Sequence, residues 1–313
     1  MNCQILYHIE NKKILDPYQS GFRKGHSCTT ALLKITEDIR REIDVGKCTI
    51  LVLLDFKNAF GSVNHSLLLH KLASQFNFSA SACKLISSFL SDRTQAVRCD
   101  SDFSSSLSLR TGVPNGSILG PLLFSLFIND IYSSFSSCNH HQFADDFQFY
   151  ADCLPKQVVQ SISLINLELL SLSSWAMNNL IAVNPVKSQA ILFKEWLPTT
   201  LLSHILYNND IISFTCSAKN LGLTISCNFS WKIQANNICR SVYGALNSTL
   251  LSDATHTHTH IYSLRLNLSE SLLAPLYQYC DIIFTNSLDN KRGKRLEIAL
   301  NSCTHLKEVV IPI

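Results

Sequence analysis

Two adjacent aspartates lie inside an otherwise apolar stretch of the chain, Phe143-Ala144-Asp145-Asp146-Phe147-Gln148-Phe149-Tyr150. Like charges at neighbouring positions raise each other's pKa, and a carboxylate is costly to bury unless a cation lies beside it. A divalent metal ion is the usual partner of such a pair. An aspartate pair on its own also occurs in solvated turns, so the metal interpretation depends on further carboxylates.

A third carboxylate, Asp55, directly follows the mostly apolar run Cys48–Leu54. This run is short and rich in branched side chains, which predicts a buried β-strand. Carboxylates at the ends of two strands suit Mg²⁺, which binds few protein carboxylates and shares its remaining positions with water and phosphate. The sequence therefore predicts a metal site formed by Asp55, Asp145 and Asp146.

The aspartate pair is one of four motifs that follow one another along the chain, the others being Asp55–Phe60, Thr111–Pro121 and Asn184–Ser188. Their order and spacing resemble the reverse transcriptase, an RNA-directed DNA polymerase, of non-LTR (LINE-type) retrotransposons. The resemblance extends from about Gln19 to Asp281 and so covers most of the chain.

The resemblance implies an α+β fold, the palm of a right-handed polymerase, in which an antiparallel sheet carries helices on one face. It assigns residues 1–47 to partial fingers and residues 48–210 to the palm, with a fingers insertion near 66–110. Residues 211–313 are expected to form the primer-grip region and a mostly helical partial thumb. The family has further finger strands before this point, so the chain resembles a domain truncated at its amino terminus.

Helical patterns agree with this arrangement. Leu32, Ile35, Ile39 and Ile43 recur at helical spacing, and Gly46 lies where that helix is expected to stop. Either Asn64 or Ser66 is expected to cap a following helix. A longer helix is predicted from an apolar stripe of Val158, Ile162, Ile165, Leu169, Leu172 and Trp175.

The resemblance also implies the chemistry. Asp55 and Asp145 are expected to bridge two metal ions, Mg²⁺ or Mn²⁺, with Asp146 in a supporting role, because phosphoryl transfer depends mainly on positioning and charge neutralisation. Lys187 matches a lysine proposed to protonate the leaving pyrophosphate. The implied partners are an RNA template, a DNA primer and deoxynucleoside triphosphates.

Further residues are expected to bind the incoming nucleotide. Arg23 and Lys24 match the segment that approaches the triphosphate, although a basic pair is also typical of a solvated surface. Phe60 matches the bulky residue that crowds a ribose 2′-hydroxyl, and the alternative is that it belongs to the core. Asn115 and Gly116 lie in a glycine-rich loop suited to a nucleotide-binding floor, where the family usually has glutamine in place of Asn115.

Two features lie beyond the palm motifs. Leu221 and Gly222 resemble the turn that grips the primer. The tract Thr255-His256-Thr257-His258-Thr259-His260 is predicted to be an exposed loop, with a histidine metal site as the alternative.

Composition excludes several classes of protein. With 313 residues, 46% of them hydrophobic, the chain can bury a substantial core and is not disordered. Its 26 Lys and Arg against 23 Asp and Glu predict a local basic groove rather than a generally basic surface. The 12 cysteines include no C-x-x-C pair, so reduced thiols are expected. Without a secretory pattern or a membrane-length apolar run, we expect an intracellular protein, cytoplasmic or nuclear.

Three functional interpretations remain open from sequence. The first is a reverse transcriptase fragment. The second is a catalytically inactive retroelement remnant that at most binds nucleic acid. A palm-type RNA polymerase is the third, and it is disfavoured because Phe60 would hinder ribonucleotides.

Overall fold

The fold is described from a computed structural model, which defines residues 1–193, 203–250, 275 and 278–284. The chain divides into two compact units. The first comprises Met1–Ala31 and Asp38–Thr215, and the second comprises Leu32–Glu37 and Cys216–Ile313. The Thr-His tract lies outside the described residues, so its predicted loop stays a prediction.

Helices and strands alternate along the chain. The helices are α1 Asn2–Lys12, α2 Cys28–Asp44, α3 His65–Ser74, α4 Ala80–Leu90, α5 Leu119–Phe127, α6 Val158–Asn178, α7 Lys232–Leu250 and α8 Asp281–Phe284. The strands are β1 Cys48–Leu54, β2 Phe56–Lys57, β3 Thr94–Gln95, β4 Arg98–Cys99, β5 Asp102–Phe103, β6 Leu107–Ser108, β7 Asn139–Phe143, β8 Asp146–Cys153, β9 Ala182–Val183, β10 Gln189–Phe193, β11 Ile205–Tyr207, β12 Asp210–Phe214, β13 Ser217–Asn220 and β14 Leu223–Ser226.

A six-stranded sheet forms the centre of the first unit, in the order β11-β12-β10-β1-β8-β7. The predicted strand after Lys47 is confirmed, since β1 pairs antiparallel with both β8 and β10. The expectation of a wholly antiparallel sheet is wrong at one place, because β10 and β12 are parallel. β11 and β12 form an antiparallel hairpin, with β11 at the outer edge of the sheet. β12 therefore lies next to β10, and these two strands run in the same direction.

The predicted end of α2 near Gly46 and the predicted start of α3 are both confirmed. Ser27 caps α2 through a capping box with Thr30, and Gly46 follows the helix with a φ of 82°. Of the two candidate caps for α3, Asn64 is the one used, because its side chain accepts a hydrogen bond from the Leu67 N–H. These local signals therefore fix where the helices begin and end.

The hydrophobic core lies between the sheet and the helices. All six residues of the predicted α6 stripe are buried, namely Val158, Ile162, Ile165, Leu169, Leu172 and Trp175. They share one core cluster with β1, β8 and the apolar helix α5. Burial of such side chains stabilises a fold by about 1.5–3 kcal/mol each. Packing in this cluster therefore holds β1 and β8, whose ends carry Asp55 and Asp146, in place.

The second unit contains the β13–β14 hairpin, α7 and α8. Leu223 and Ile225 of β14 are fully buried, as is the large side chain of Trp231 before α7. In the part of the chain that the structure describes, no helix has the length and apolar character needed to cross a lipid bilayer.

Candidate active site

The aspartate pair occupies a tight turn between two strands. Phe143 at the end of β7 pairs with Asp146 at the start of β8, which leaves only Ala144 and Asp145 in the turn. Ala144 has a φ of 56°, a left-handed conformation that two-residue hairpin loops require. Asp145 is therefore exposed at the tip, while Asp146 begins the strand.

Asp55 lies at the same end of the sheet. Leu54 of β1 is the cross-strand partner of Phe147 in β8. Asp55 comes one residue after Leu54 and Asp146 one residue before Phe147, so the two aspartates extend from neighbouring strands. The antiparallel register thus brings Asp55, Asp145 and Asp146 to one end of the sheet.

The three carboxylates influence one another electrostatically. Burial raises the pKa of the Asp146 carboxyl to about 6, and the negative charges of Asp145 and Asp55 add to the shift. The Asp146 residue still reaches solvent, so water also screens this repulsion. A cation placed among the three groups would remove the repulsion.

The donor set fits a hard divalent cation, because all three groups are carboxylates, the kind of oxygen ligand that such ions prefer. Within the described ranges, however, no group of three or more His, Cys, Asp or Glu side chains is arranged to hold a metal ion. Mg²⁺ is commonly held by one or two carboxylates together with substrate phosphates, so a complete set of protein ligands is not required.

The Asn184–Ser188 turn holds the backbone of Asp55. The Ser188 hydroxyl accepts a hydrogen bond from the Asp55 N–H at 3.1 Å and donates to the Asn184 carbonyl at 2.8 Å. The Asn184 N–H donates to the Asp55 carbonyl at 2.7 Å. Lys187 lies in this turn and is exposed. The motif that carries the predicted general acid is therefore joined directly to the first aspartate.

The glycine-rich loop packs against the turn after Asp55. Gly112 has a φ of 90°, and a Cβ added to it would lie 3.0 Å from the Gly61 backbone. The Gly112 and Val113 N–H groups donate to the Val63 and Phe60 carbonyls at 2.8 and 2.9 Å. Two predicted motifs that are about fifty residues apart in sequence thus form one surface.

Asn115 and Gly116 lie exposed at the tip of this loop, and Gly116 has a φ of 75°. Asn115 lines a cleft of about 490 Å³ with polar and basic neighbours, including Asn58, His65 and Arg93. The loop leads into α5, which begins at Leu119 and has Pro121 in its first turn, where proline is tolerated.

Phe60 is half-buried and belongs to an aromatic cluster. Its ring stacks on Phe124 of α5 with a centroid distance of 4.3 Å and meets the edge of the Phe22 ring at 6.5 Å. Phe22 is 52% exposed and adopts a left-handed φ of 57°. The two interpretations of Phe60, as a core residue and as the residue that crowds a ribose 2′-hydroxyl, are therefore compatible. One side of Phe60 packs on the core while the residue remains partly accessible.

The segment from Asp16 to His26 runs along the free edge of β7. Gln19 forms a parallel bridge with Gln142, and the Ser20 N–H donates to the Gln142 carbonyl at 2.8 Å. Gly21 then meets the aspartate turn so closely that an added Cβ would lie 2.3 Å from the Ala144 nitrogen.

The two basic residues of this segment differ in their surroundings. The Arg23 guanidinium donates to the Asp16 and Gln19 carbonyls at 3.2 and 3.3 Å, so it stabilises its own segment. Lys24 is exposed. Of the two predicted triphosphate contacts, Lys24 is thus the more accessible.

Leu221 and Gly222, the two residues predicted to grip the primer, form the turn of the β13–β14 hairpin. Both adopt left-handed backbone conformations, with φ values of 44° and 85°. The Tyr279 hydroxyl donates to the Leu221 carbonyl, and its ring would lie 3.1 Å from a Cβ at Gly222. Tyr279 therefore holds the turn in place within the second unit.

A family model described as "Reverse transcriptase (RNA-dependent DNA polymerase)" matches residues 1–231. The chain belongs to this family. It is 28% identical over 225 residues to "Probable RNA-directed DNA polymerase from transposon BS" of Drosophila melanogaster, covering 69% of this chain and 24% of the relative. It is 24% identical over 274 residues to "RNA-directed DNA polymerase from mobile element jockey" of the same species, covering 85% of this chain and 29% of the relative. The predicted membership of the non-LTR reverse transcriptases is confirmed.

Solved structures show the same fold at low identity. Apo telomerase from Candida tropicalis matches with a TM-score of 0.50 and 13% identity, over 98% of this chain and 54% of the telomerase chain. A form of that telomerase truncated from its C-terminal domain also matches with a TM-score of 0.50 and 14% identity, over 72% of this chain and 43% of the telomerase chain. These matches confirm the coarse α+β polymerase fold. The chain spans about a quarter of the length of these two transposon relatives.

Several residues of the site were not singled out by the motifs. Phe22, Ser188 and Tyr279 each contact a predicted site residue, and Gly21 contacts Ala144, the residue before Asp145. Contacts between residues that are distant in sequence leave no local pattern, so only the structure identifies these roles.

Proposed function

We propose that this chain is the polymerase part of an RNA-directed DNA polymerase, which transfers deoxynucleotides to a primer 3′-hydroxyl on an RNA template. The observation that carries the proposal is the meeting of Asp55 with Asp145 and Asp146 at one end of adjacent strands. Burial raises the pKa of Asp146 and the negative charges of Asp145 and Asp55 add to the shift, and a cation beside these carboxylates would offset both effects, which supports a cation-binding role for the trio. The relatives are transposon polymerases, so we place the reaction inside the cell.

Two divalent ions, Mg²⁺ or Mn²⁺, would activate the primer hydroxyl and stabilise the leaving pyrophosphate when bound. In this proposal Asp55 and Asp145 hold both ions, and Asp146 supports them. The fixed register of β1 and β8 keeps the carboxylates at one place, which matters because phosphoryl transfer relies on positioning. Lys187 is the proposed donor of a proton to pyrophosphate, from the turn that also holds Asp55.

The nucleotide is proposed to bind between three surfaces. Lys24 and Arg23 approach the triphosphate, Asn115 and Gly116 form the floor, and Phe60 excludes a ribose 2′-hydroxyl. The contact of Phe60 with Phe22 supports a compact sugar pocket, because Phe22 belongs to the same segment as the basic pair.

The domain assignment follows the same proposal. Residues 1–47 serve as partial fingers and residues 48–210 as the palm, with the insertion near 66–110 returning to the fingers. Residues 211–313 include the primer-grip turn at Leu221 and Gly222 and a partial thumb. The hydrogen bond from Tyr279 to the Leu221 carbonyl supports a rigid turn that a primer strand can press against.

Primer extension with the purified chain tests the proposal, using an RNA template, a DNA primer, deoxynucleotides and Mg²⁺ or Mn²⁺. The matched control changes Asp145 and Asp146 together to asparagine. We expect extension by the wild type alone. The control should unfold at an equal or higher urea concentration than the wild type, because the asparagines remove the cost of burying an ionised Asp146 and the repulsion from its neighbouring carboxylates. A folded wild-type chain that extends no primer would favour the inactive-remnant interpretation.

A further inference from the structure

A polar cleft of about 490 Å³ lies beside the glycine-rich loop, and its lining residues come from three parts of the chain, 58–65, 90–95 and 109–115. The antiparallel pair β3–β6 brings the second and third parts side by side. Among the described residues that line the cleft, Arg93 carries a positive charge and none is acidic. Ligand pockets commonly measure about 300–1,000 Å³. The cleft therefore has the size and the charge to hold part of an anionic ligand.

The guanidinium of Arg93 is held in one orientation by the end of α4. Its Nε donates a hydrogen bond to the Phe89 carbonyl at 2.7 Å, and its Cζ lies 4.7 Å from the centre of the Phe89 ring. Within the described residues, no other hydrogen bond or ion pair involves this guanidinium. Its two terminal nitrogens are therefore left for a ligand, and their planar fork matches the oxygens of a phosphate group.

His65 offers a hydrogen-bond acceptor in the same cleft. Its Nε2 lies 2.7 Å from the Gly112 carbonyl oxygen. A carbonyl only accepts hydrogen bonds, so this nitrogen carries the proton, and in the neutral ring Nδ1 is then an acceptor. A hydroxyl group is a donor that suits this acceptor. The cleft thus complements a phosphate beside a hydroxyl, the two groups that a ribose-phosphate backbone carries.

The position of the cleft indicates which nucleic-acid strand fits it. Asn115 lines the cleft and is also the proposed floor of the nucleotide site, whereas neither Phe60 nor Lys24 is among the described residues that line it. A ligand in the cleft would therefore lie next to the incoming nucleotide but apart from its proposed sugar and triphosphate contacts. The template residue that pairs with this nucleotide is such a neighbour. The primer end is another, but a DNA primer has no 2′-hydroxyl for His65.

We propose that this cleft binds the sugar-phosphate backbone of the RNA template, with Arg93 on a phosphate and His65 on a ribose 2′-hydroxyl. The inference rests on the proposed function and deepens it, because it names residues that recognise the template as RNA. A DNA template keeps the phosphate and lacks the 2′-hydroxyl, so it retains the Arg93 contact and loses the His65 contact.

Binding of a primer–template with a single-stranded 5′ template overhang tests the assignment without any need for activity. The probe is a fluorescein-labelled DNA primer annealed to an RNA template. A second template differs only in having a DNA overhang, and fluorescence anisotropy gives the Kd of both at several salt concentrations. The wild type should bind the RNA overhang about fivefold more tightly, as for one hydrogen bond between neutral groups.

Arg93→Gln should weaken the binding of both overhangs by about tenfold, as for the loss of one charge-assisted hydrogen bond. The slope of log K against log salt should fall by about 0.7, the value for one phosphate of a single strand. Unchanged affinity and slope in this variant would overturn the proposal.

The matched control is Arg98→Gln. Arg98 has the same arrangement, since its Nε donates to the Asp100 carbonyl at 2.8 Å and its Cζ lies 5.8 Å from the centre of the Phe103 ring. It is exposed on the β4–β5 hairpin and is not among the described residues that line the cleft. This variant should keep the wild-type affinity and salt slope. Losses equal to those of Arg93→Gln would show a general effect of positive charge, and this would overturn the cleft.

Two substitutions at His65 test the hydroxyl contact. His65→Leu removes the acceptor and should bring the two overhangs to equal affinity. His65→Gln should keep part of the preference for RNA, because its amide can both donate to the Gly112 carbonyl and accept from a hydroxyl. A preference for RNA that persists in His65→Leu would overturn the role of His65.

Other outcomes separate the inference from the proposed function. A raised KM for deoxynucleotide in Arg93→Gln with unchanged template affinity would place the incoming nucleotide in the cleft and overturn the template assignment. Wild-type protein that binds both overhangs equally would overturn it without any variant, which covers variants that fail to fold. If the wild type extends no primer but shows the expected binding differences, the template site stands and the polymerase proposal fails.

Discussion

Gly21 offers a direct test of how closely the segment before Arg23 must approach the aspartate turn. An alanine Cβ at this position would lie 2.3 Å from the Ala144 nitrogen, 3.0 Å from its Cα and 3.1 Å from the Phe143 carbonyl carbon. All of these neighbours are backbone atoms, which cannot rotate away as a side chain can. Gly21 has an ordinary φ, so the cost of Gly21→Ala comes from this contact alone.

The structure sets the size of the effect. Ordinary van der Waals contact begins at 3.4 Å, so the two backbones would have to separate by about 1 Å. Forcing extra atoms into a packed site costs about 1–3 kcal/mol in the free energy of unfolding. A misplacement of about 1 Å at a catalytic group lowers the rate by about 100-fold. We therefore expect a modest loss of stability together with a large loss of kcat.

The assay compares single-nucleotide primer extension with urea unfolding for the same protein. Gly46→Ala is the matched control, because Gly46 has a φ of 82° with no atom within 4 Å of an added Cβ. A left-handed alanine costs roughly 1–2 kcal/mol, so this control loses similar stability at a place remote from the aspartates. The reasoning is refuted if Gly21→Ala extends primers at the wild-type rate, or if Gly46→Ala is equally slow.

Three further outcomes are expected. Phe60→Val should raise the incorporation of ribonucleotides relative to deoxynucleotides by about 10- to 200-fold, the usual range for one apolar contact. Competition assays measure this ratio, and an unchanged ratio would mean that Phe60 serves only the core. Lys71→Met should lower the free energy of unfolding in urea by roughly 2 kcal/mol. This loss is smaller than that for breaking a fully buried ion pair, because the partner Asp130 keeps 27% side-chain exposure. Burial raises the pKa of Asp152 above its ordinary 3.8, so its ionisation disfavours the fold and stability should fall as pH rises through this raised pKa. Asp152→Asn should flatten that dependence above pH 3.8 in urea titrations, and parallel curves for the variant and the wild type would contradict the prediction.

Local features of the fold could be predicted from the sequence because they depend on neighbouring residues. The apolar run before Asp55, the α6 stripe and Gly46 after α2 all carry their signal within a few residues. The choice between Asn64 and Ser66 as the cap of α3 could not be made in the same way, since both side chains can accept the bond. It depends on backbone geometry, which gives the bond to Asn64.

Features that depend on distant parts of the chain could not be predicted. The parallel pairing of β10 with β12 follows from the order of strands in the sheet, which no local pattern encodes. The contact of Gly21 with Ala144 joins residues more than one hundred positions apart, and its only trace in sequence is a glycine. The motifs therefore indicated three carboxylates that the structure places at one end of the sheet, while the contacts that hold them there are seen only in the structure.

The aspartates lie on strands that differ in their resistance to local opening. β1 is hydrogen-bonded along both sides, whereas β7 has β8 on one side and only a short bridged segment on the other. Amide hydrogen exchange should therefore be slowest around Leu51 and faster near Phe143, because edge strands open more readily than central ones. On mild warming, the turn carrying Asp145 would fray while Asp55 stays in place, so heat inactivation would precede global unfolding and reverse on cooling.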